Sequence, residues 1–468
     1  MQRMLLQAAS CLALVACGSS PVVYAPGDLR HHDPTGQVQA LAAMLPPEVS
    51  DVRLVFVHGV GDHCAGYALD PGTGWFKDKT VAAIGLQPQG SPSAAHRIPA
   101  QFFRRGGPDD RSYMEYETRS FKFQLPGRPS PIDVEAIEIT WSHLTQWIKT
   151  DQLGYDMTVS FADDHIPSCV LPPGPNVPDL KPPPQRLAGN RILKEALMDR
   201  TLSDAVIYGG PYGETMERGV AETLCRAVSH QQQDDLAHCT WPAPDGLQRR
   251  TFFVTHSLGS RLLYDTFLDL TGFHAGPKPA PFSRQEIDAA DPFLRRMLAT
   301  TPAIYMMANQ WSLLGLADTP PDFVTTDTGP QPLLTTPAYS PKIAPGPFPE
   351  SGHARRQCRY PLAAVGELRS QAITEKSLAV EPDWRVVSFN DTNDLLTWHV
   401  PAWYVQSKGG GDAACRPDIE LADVFVQNAT HWLIIESPGS AHDDYFVDPQ
   451  VWQVMRCGAK NGKVTDCP

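Results

Sequence analysis

The chain has no run of lysine and arginine. Its 39 basic residues are outnumbered by 52 acidic ones, and the formal net charge is −13. Binding nucleic acid requires positive charge gathered on one face, so this composition excludes that class of partner. No C-x-x-C pair occurs, which removes the usual zinc frameworks. The adjacent pair His31-His32 sits in a polar stretch and reads as solvated rather than metal-binding. Neither a metal nor an organic cofactor is implied. No internal repeat is present, which excludes solenoids and propellers. Beyond residues 1–20 no stretch is apolar for long enough to span a bilayer.

What is present is the composition of a folded, exported chain. Hydrophobic residues make up 42% of 468 positions, enough for a buried core, and 45 prolines favour rigid loops over long helices. The opening "MQRMLLQAASCLALVACGSS" has one arginine, a short apolar segment and then small residues. That is a secretory signal pattern, too short to span a membrane. It ends in Leu14-Val15-Ala16-Cys17 followed by Gly18, which resembles the lipobox of bacterial lipoproteins. The resemblance implies cleavage before Cys17, acylation of that cysteine and a membrane anchor made of acyl chains. Because residue 18 is not aspartate, it implies the outer membrane within the cell envelope. Setting aside Cys11 and Cys17 leaves eight cysteines, an even number suited to an oxidising compartment. Cys225 with Cys239 and Cys457 with Cys467 are the pairs nearest in sequence and are expected as local staples.

Residues 18–50 are rich in Gly, Ser and Pro and are expected to be a linker between residues 1–17 and a domain at 51–468. Val52–Val57, flanked by His58-Gly59-Val60-Gly61, reads as a buried parallel strand ending in a glycine loop. Further strands are expected at Val134–Trp141, Thr251–Val254, Ala303–Ala308, Trp384–Phe389 and Asp423–Gln427. Helical spacing runs through 190–228, and Leu262, Leu263 and Phe267 share one face after residue 258. Strands alternating with helices predict an α/β domain with a mostly parallel central sheet. Two proline-rich stretches, 165–185 and 317–350, interrupt the alternation. They lie within insertions expected near 100–200 and 271–380, and long loops of this kind commonly form lids or binding walls.

The chemistry starts from "FVTHSLGS" at 253–260. A strand followed by Thr255-His256-Ser257-Leu258-Gly259 is close to G-x-S-x-G, with Thr255 in place of the first glycine. Such a turn strains the serine backbone and lifts its hydroxyl above the sheet. A serine nucleophile needs a base, a group that orients the base, and donors for the oxyanion. The loop His58-Gly59-Val60-Gly61 offers those donors: the N–H of Val60, or alternatively of Gly61, would join that of Leu258. His58, Gly59 and Gly259 support the turn, while Asp62 and His63 flank it. For the orienting acid, Asp394 is preferred over Asp391 in "NDTNDLL", because Leu395-Leu396 follow and can shield it. For the base, His442 in "AHDDYF" is preferred over His431 in "NATHWLI".

The order Ser257, Asp394, His442 is the order of the α/β-hydrolase superfamily. Together "FVHGVGDH", "VTHSLGS", "NDTNDLL" and "AHDDYF" resemble its bacterial serine esterase and lipase-like members across roughly residues 50–460. Thr255 departs from the family's glycine, and the long separation of His58 from Ser257 implies an insertion before the nucleophile. The resemblance implies an α/β-hydrolase fold with the insertions as a lid, and hydrolysis of carboxylic esters through an acyl-enzyme. It implies an ester-containing small molecule or lipid as substrate. Two alternatives stay open at this point: an amidase, peptidase or acyltransferase with the same triad, and a non-catalytic binding protein on the same scaffold.

Overall fold

The apolar runs at Asp51–Val57, Arg250–His256 and Ala303–Met307 are buried almost throughout. An unbroken apolar run demands cover on both faces of a sheet, and this is what the fold supplies. The structure, a computed structural model, describes residues 20–25, 34–70, 79–99, 112–153, 187, 190, 192–229, 239, 249–272, 281–315, 323–326, 329–332, 361–376, 384–400, 419–428 and 438–467. In chain order its strands are β1 (Val22–Tyr24), β2 (Asp51–Val57), β3 (Leu86–Gln89), β4 (His96–Pro99), β5 (Ser112–Phe123), β6 (Ile132–Thr140) and β7 (Arg250–His256). There follow β8 (Ala303–Met307), β9 (Phe323–Thr326), β10 (Gly329–Pro332), β11 (Trp384–Asp391), β12 (Ile419–Val426), β13 (Ala459–Lys460) and β14 (Lys463–Val464).

Twelve of these form one sheet in the order β13-β14-β1-β12-β11-β8-β7-β2-β6-β5-β3, with β4 also on β5. The pairs from β12 through β11, β8, β7 and β2 to β6 are all parallel. The remaining pairs, at both edges, are antiparallel. The sheet is therefore mixed, which corrects the expected mostly parallel one. The parallel strands are those whose apolar runs stand out in the sequence. The antiparallel ones are either very short or, like β5, alternate with charged residues.

Each of the parallel strands feeds two cores. From β2, Val55 and Val57 join one cluster with Phe253, Leu258, Leu262 and Phe267, and Leu54 and Phe56 join the other with Phe252, Val254 and Trp452. Helices Ser142–Leu153, Tyr212–Ser229, Leu258–Leu270, Arg284–Ala299 and Pro361–Lys376 contribute to the first cluster, and Lys79–Ile84 and Pro449–Cys457 to the second. The Arg284–Ala299 helix starts at a capping box, in which the Ser283 side chain takes the Glu286 N–H and Glu286 takes the Ser283 N–H.

The expected linker 18–50 is corrected over its described residues. Val22–Tyr24 pairs with β12, and Val38, Leu41, Met44, Leu45 and Val49 are buried in the second core. The signal was a few apolar residues among prolines, too short to register as periodic. Cys17, His31-His32 and the stretch 165–185 lie outside the described residues. Of 317–350, only the two-stranded β9–β10 pair is described. Cys225–Cys239 and Cys457–Cys467 are each at bonding distance, with Cα atoms 5.7 Å and 4.9 Å apart. No described helix is long and apolar enough to cross a membrane.

Candidate active site

Register places the ends of the parallel strands level. Val57 lies beside both Ile139 and Thr255, and Met307 beside both His256 and Phe389. Segments leaving β2, β6, β7, β11 and β12 therefore emerge along one edge of the sheet, the carboxyl edge where open α/β sheets gather ligands.

Ser257 follows β7 directly and precedes the helix Leu258–Leu270. Its backbone sits at φ 50°, ψ −126°, a region that non-glycine residues rarely occupy and that costs on the order of 1–3 kcal/mol. The turn is held from both sides: Ser257 N–H donates to Met307 O at 2.8 Å, and Ser260 N–H donates to Ser257 O at 3.0 Å. Glycine is required at two neighbouring positions. A Cβ on Gly259 would stand 2.3 Å from His58 O, and one on Gly59 would stand 2.5 Å from Ser257 Cβ. The β2 loop and the β7 turn thus approach backbone to backbone. Thr255 fits in place of the third small residue because its side chain points into the helix, where its hydroxyl bonds to Ser260 Oγ at 2.9 Å.

His442, on the helix Pro438–Asp443, reaches across to this serine. Its Nε2 is 2.9 Å from Ser257 Oγ, and its Nδ1 is 3.0 Å from both carboxylate oxygens of Asp394. A carboxylate can only accept, so Nδ1 carries the proton and Nε2 of the neutral ring accepts from the serine hydroxyl. All three residues are buried. Burial alone would lower the His442 pKa, but the hydrogen bond and negative charge of Asp394 outweigh it and raise it above the ordinary 6.5. Leu396 N–H and the Tyr445 hydroxyl donate to the remaining lone pairs of Asp394, at 2.8 Å and 3.2 Å. Burial, reinforced by Asp394 and Asp391, holds the Tyr445 pKa well above its ordinary value, so the phenol stays a donor.

Asp391 faces away from the histidine. Its carboxylate accepts Asn393 N–H at 2.8 Å and Asn428 N–H at 2.6 Å. Asn428 in turn donates its amide to Ala441 O at 2.5 Å, so Asp391 secures the residue next to His442. His431 lies outside the described residues.

Two further groups were not singled out from the sequence. His256 Nε2–H donates to the carbonyl of His442 at 2.7 Å. Burial, then the proximity of His442, keeps the His256 pKa well below 6.5, so it is a neutral donor that ties the His442 backbone to the strand that leads into Ser257. The second is the end of β6: Trp141 N–H donates to His58 Nε2 at 3.0 Å, and the Trp141 indole donates to His58 O at 3.1 Å. The His256 position lay inside the motif, but nothing in the sequence pairs it with His442.

The glycine loop is close to Ser257, yet its candidate donors are not equivalent. Gly61 N–H is committed to Asp204 Oδ2 at 2.7 Å, which corrects its expected role as an oxyanion donor. Val60 N–H and Leu258 N–H make no hydrogen bond among the described residues. The latter is a first-turn helical N–H, which has no partner within its own helix. Among the described residues no group of His, Cys, Asp and Glu is arranged to hold a metal ion. The chain matches no protein-family model, no curated protein and no solved structure.

Proposed function

We propose that the protein is a serine hydrolase of the α/β-hydrolase class that cleaves carboxylic esters. The observation that carries this reading is the continuous chain Ser257–His442–Asp394 at 2.9 and 3.0 Å, built on a serine with positive φ. A strained, buried serine bonded to a correctly protonated imidazole has an evident use in nucleophilic catalysis and none in packing.

Ser257 Oγ attacks the ester carbonyl while its proton passes to His442 Nε2. Asp394 holds the ring in the tautomer that allows this and stabilises the imidazolium that forms. Negative charge gathers on the former carbonyl oxygen and is met by the N–H groups of Leu258 and Val60, each contributing about 3 kcal/mol. Collapse expels the alcohol, which takes its proton from His442. Water, deprotonated by the same nitrogen, then attacks the acyl-enzyme and releases the acid. Within 100–200 and 271–380, β5, β6, β8 and the helices Ser142–Leu153, Arg284–Ala299 and Pro361–Lys376 belong to the sheet and its cores, so a lid over the substrate is proposed only for the rest of those segments. The signal and the Cys17 lipobox put the enzyme in the cell envelope on an acyl anchor, probed by the move of a Cys17→Ser variant from the membrane to the soluble fraction.

A chain-length series of nitrophenyl esters tests the central reading. Wild type is expected to turn over at least part of the series, with Ser257→Ala and His442→Ala reduced to background. Turnover retained in Ser257→Ala would defeat the reading.

A further inference from the structure

The loop His58–His63 is held peptide by peptide. His58 Nε2 accepts from Trp141, so its Nδ1 bears the proton and donates to Gly59 O at 2.6 Å. Burial, then His63, keeps the His58 pKa well below 6.5, and the ring remains neutral. A peptide's C=O and N–H point in opposite directions, so fixing Gly59 O also fixes where the Val60 N–H points. The next peptide is gripped at both ends. Val60 O accepts His63 Nε2–H at 3.2 Å, and Gly61 N–H donates to Asp204 Oδ2 at 2.7 Å. Ser142 Oγ closes the loop by donating to Gly61 O and accepting His63 N–H, both at 2.9 Å.

Asp204 does not stand alone. Its other oxygen is 3.0 Å from Lys149 Nζ, which also meets Asp62 Oδ1 at 3.2 Å. The Lys149 and Asp204 side chains are wholly buried. Burial opposes the Lys149 charge, but the two carboxylates outweigh it and hold its pKa above the ordinary value. Buried ion clusters seldom add net stability over apolar packing, so geometry is the better explanation of why one is here. Lys149 lies on the helix Ser142–Leu153 and Asp204 on Ser203–Gly209. Both belong to the long segment between β6 and β7, whereas Asp62 belongs to the loop itself.

We propose that Asp204, clamped by Lys149, is a positioning residue of the oxyanion loop: by holding the Gly61 N–H it fixes the peptide that follows Val60 and so, with the His58–Gly59 bond on the other side, keeps the Val60 N–H aimed at the Ser257 adduct, making turnover depend on the β6–β7 segment. This rests on the hydrolase reading and names the device that completes its oxyanion hole.

The test compares Asp204→Ala and Asp204→Asn with wild type. The asparagine oxygen can still accept the Gly61 N–H. Asp204→Ala should lower kcat about 10- to 100-fold, short of the loss of a whole donor, with KM changed less than about twofold. Asp204→Asn should recover most of that loss. Phenylboronate, whose serine adduct carries an oxygen in the oxyanion position, should bind Asp204→Ala more weakly by a similar factor. An unchanged kcat in folded Asp204→Ala, a loss confined to KM, or no recovery in Asp204→Asn would overturn the proposal. Should Asp204→Ala not fold, hydrogen exchange of the wild type decides: a slow Gly61 amide is expected, and a freely exchanging one contradicts the clamp. A wild type without ester turnover would sink the hydrolase reading and this inference with it. An active wild type with an unaffected Asp204→Ala sinks the inference alone.

Discussion

The two ends of the parallel strands handle polar groups in opposite ways. Where the strands begin, Arg249 pairs with Asp51 and with Glu135, and Glu135 also pairs with Arg53. Asp51 and Arg249 there are 35% and 28% exposed, so water and salt share the field with the ion pairs. Where the strands end, Ser257, His442 and Asp394 are buried, and each hydrogen bond has one assigned direction. His58 and His256 beside them are kept neutral by burial. Partly exposed ion pairs close the sheet at one end; buried and oriented groups, charged and neutral, hold a strained serine at the other. A loss at the first end costs a little stability, and a loss at the second costs geometry.

The largest expected contrast comes from Asp394→Asn, which keeps the shape but favours the wrong His442 tautomer. Its kcat should fall about 10⁴-fold. In wild type, kcat/KM should rise with pH as His442 loses its proton, with a midpoint above 6.5 because Asp394 raises that pKa. A midpoint below 6.5 would break the assignment. His256→Phe comes next. Without its bond to the His442 carbonyl the base can drift, and a displacement near 1 Å costs about 10²-fold in rate. His256→Gln, which keeps a donor, should retain more of the activity; equal losses in the two variants would make the ring itself, not its hydrogen bond, responsible.

Asp423 gives a smaller, pH-dependent effect under the acid loop. It accepts from Asn390 and from Val400 N–H at 3.1 and 3.2 Å, and burial pushes its pKa from 3.8 up to about 7. The folded state therefore binds a proton that the unfolded chain has already released. Its contribution is fully present below pH 3.8 and is lost as pH rises to about 7. Asp423→Asn should match wild type in stability at low pH and exceed it by up to about 4 kcal/mol near pH 8, as read from urea melts. A constant difference across that range would show that Asp423 is not held protonated. Smallest of all is Arg249→Gln at the opposite end of the strands, with under about 1 kcal/mol of stability lost and kcat unchanged.

The sequence was most informative where local chemistry is demanding. A parallel strand covered on both faces must be continuously apolar, so β2, β7, β8 and β11 stood out. A serine turn between strand and helix needs Gly259, and the chain order of acid and base follows the strand ends. β5 was invisible because Glu115, Glu117 and Arg119 interrupt its apolar residues. Those charges find partners in His143, Asp70 and one another only after folding. β1 has three residues and exists only through its pairing with β12 and β14. The clamp of Lys149 and Asp204 spans more than fifty residues of chain, and no local pattern announces it. Of the loop aspartates the sequence favoured Asp394 for the leucines that follow it, yet Leu395 is 67% exposed; geometry gives the reason, because Asp394 bonds His442 and Asp391 bonds the Asn428 backbone.

Covalent labelling with a fluorophosphonate, followed by peptide mapping, tests the central claim most directly. The expected result is one modified residue, Ser257, with labelling abolished in Ser257→Ala and retained in Arg249→Gln. Folded wild type that resists the probe, or a label carried on another residue and undiminished in Ser257→Ala, would contradict it.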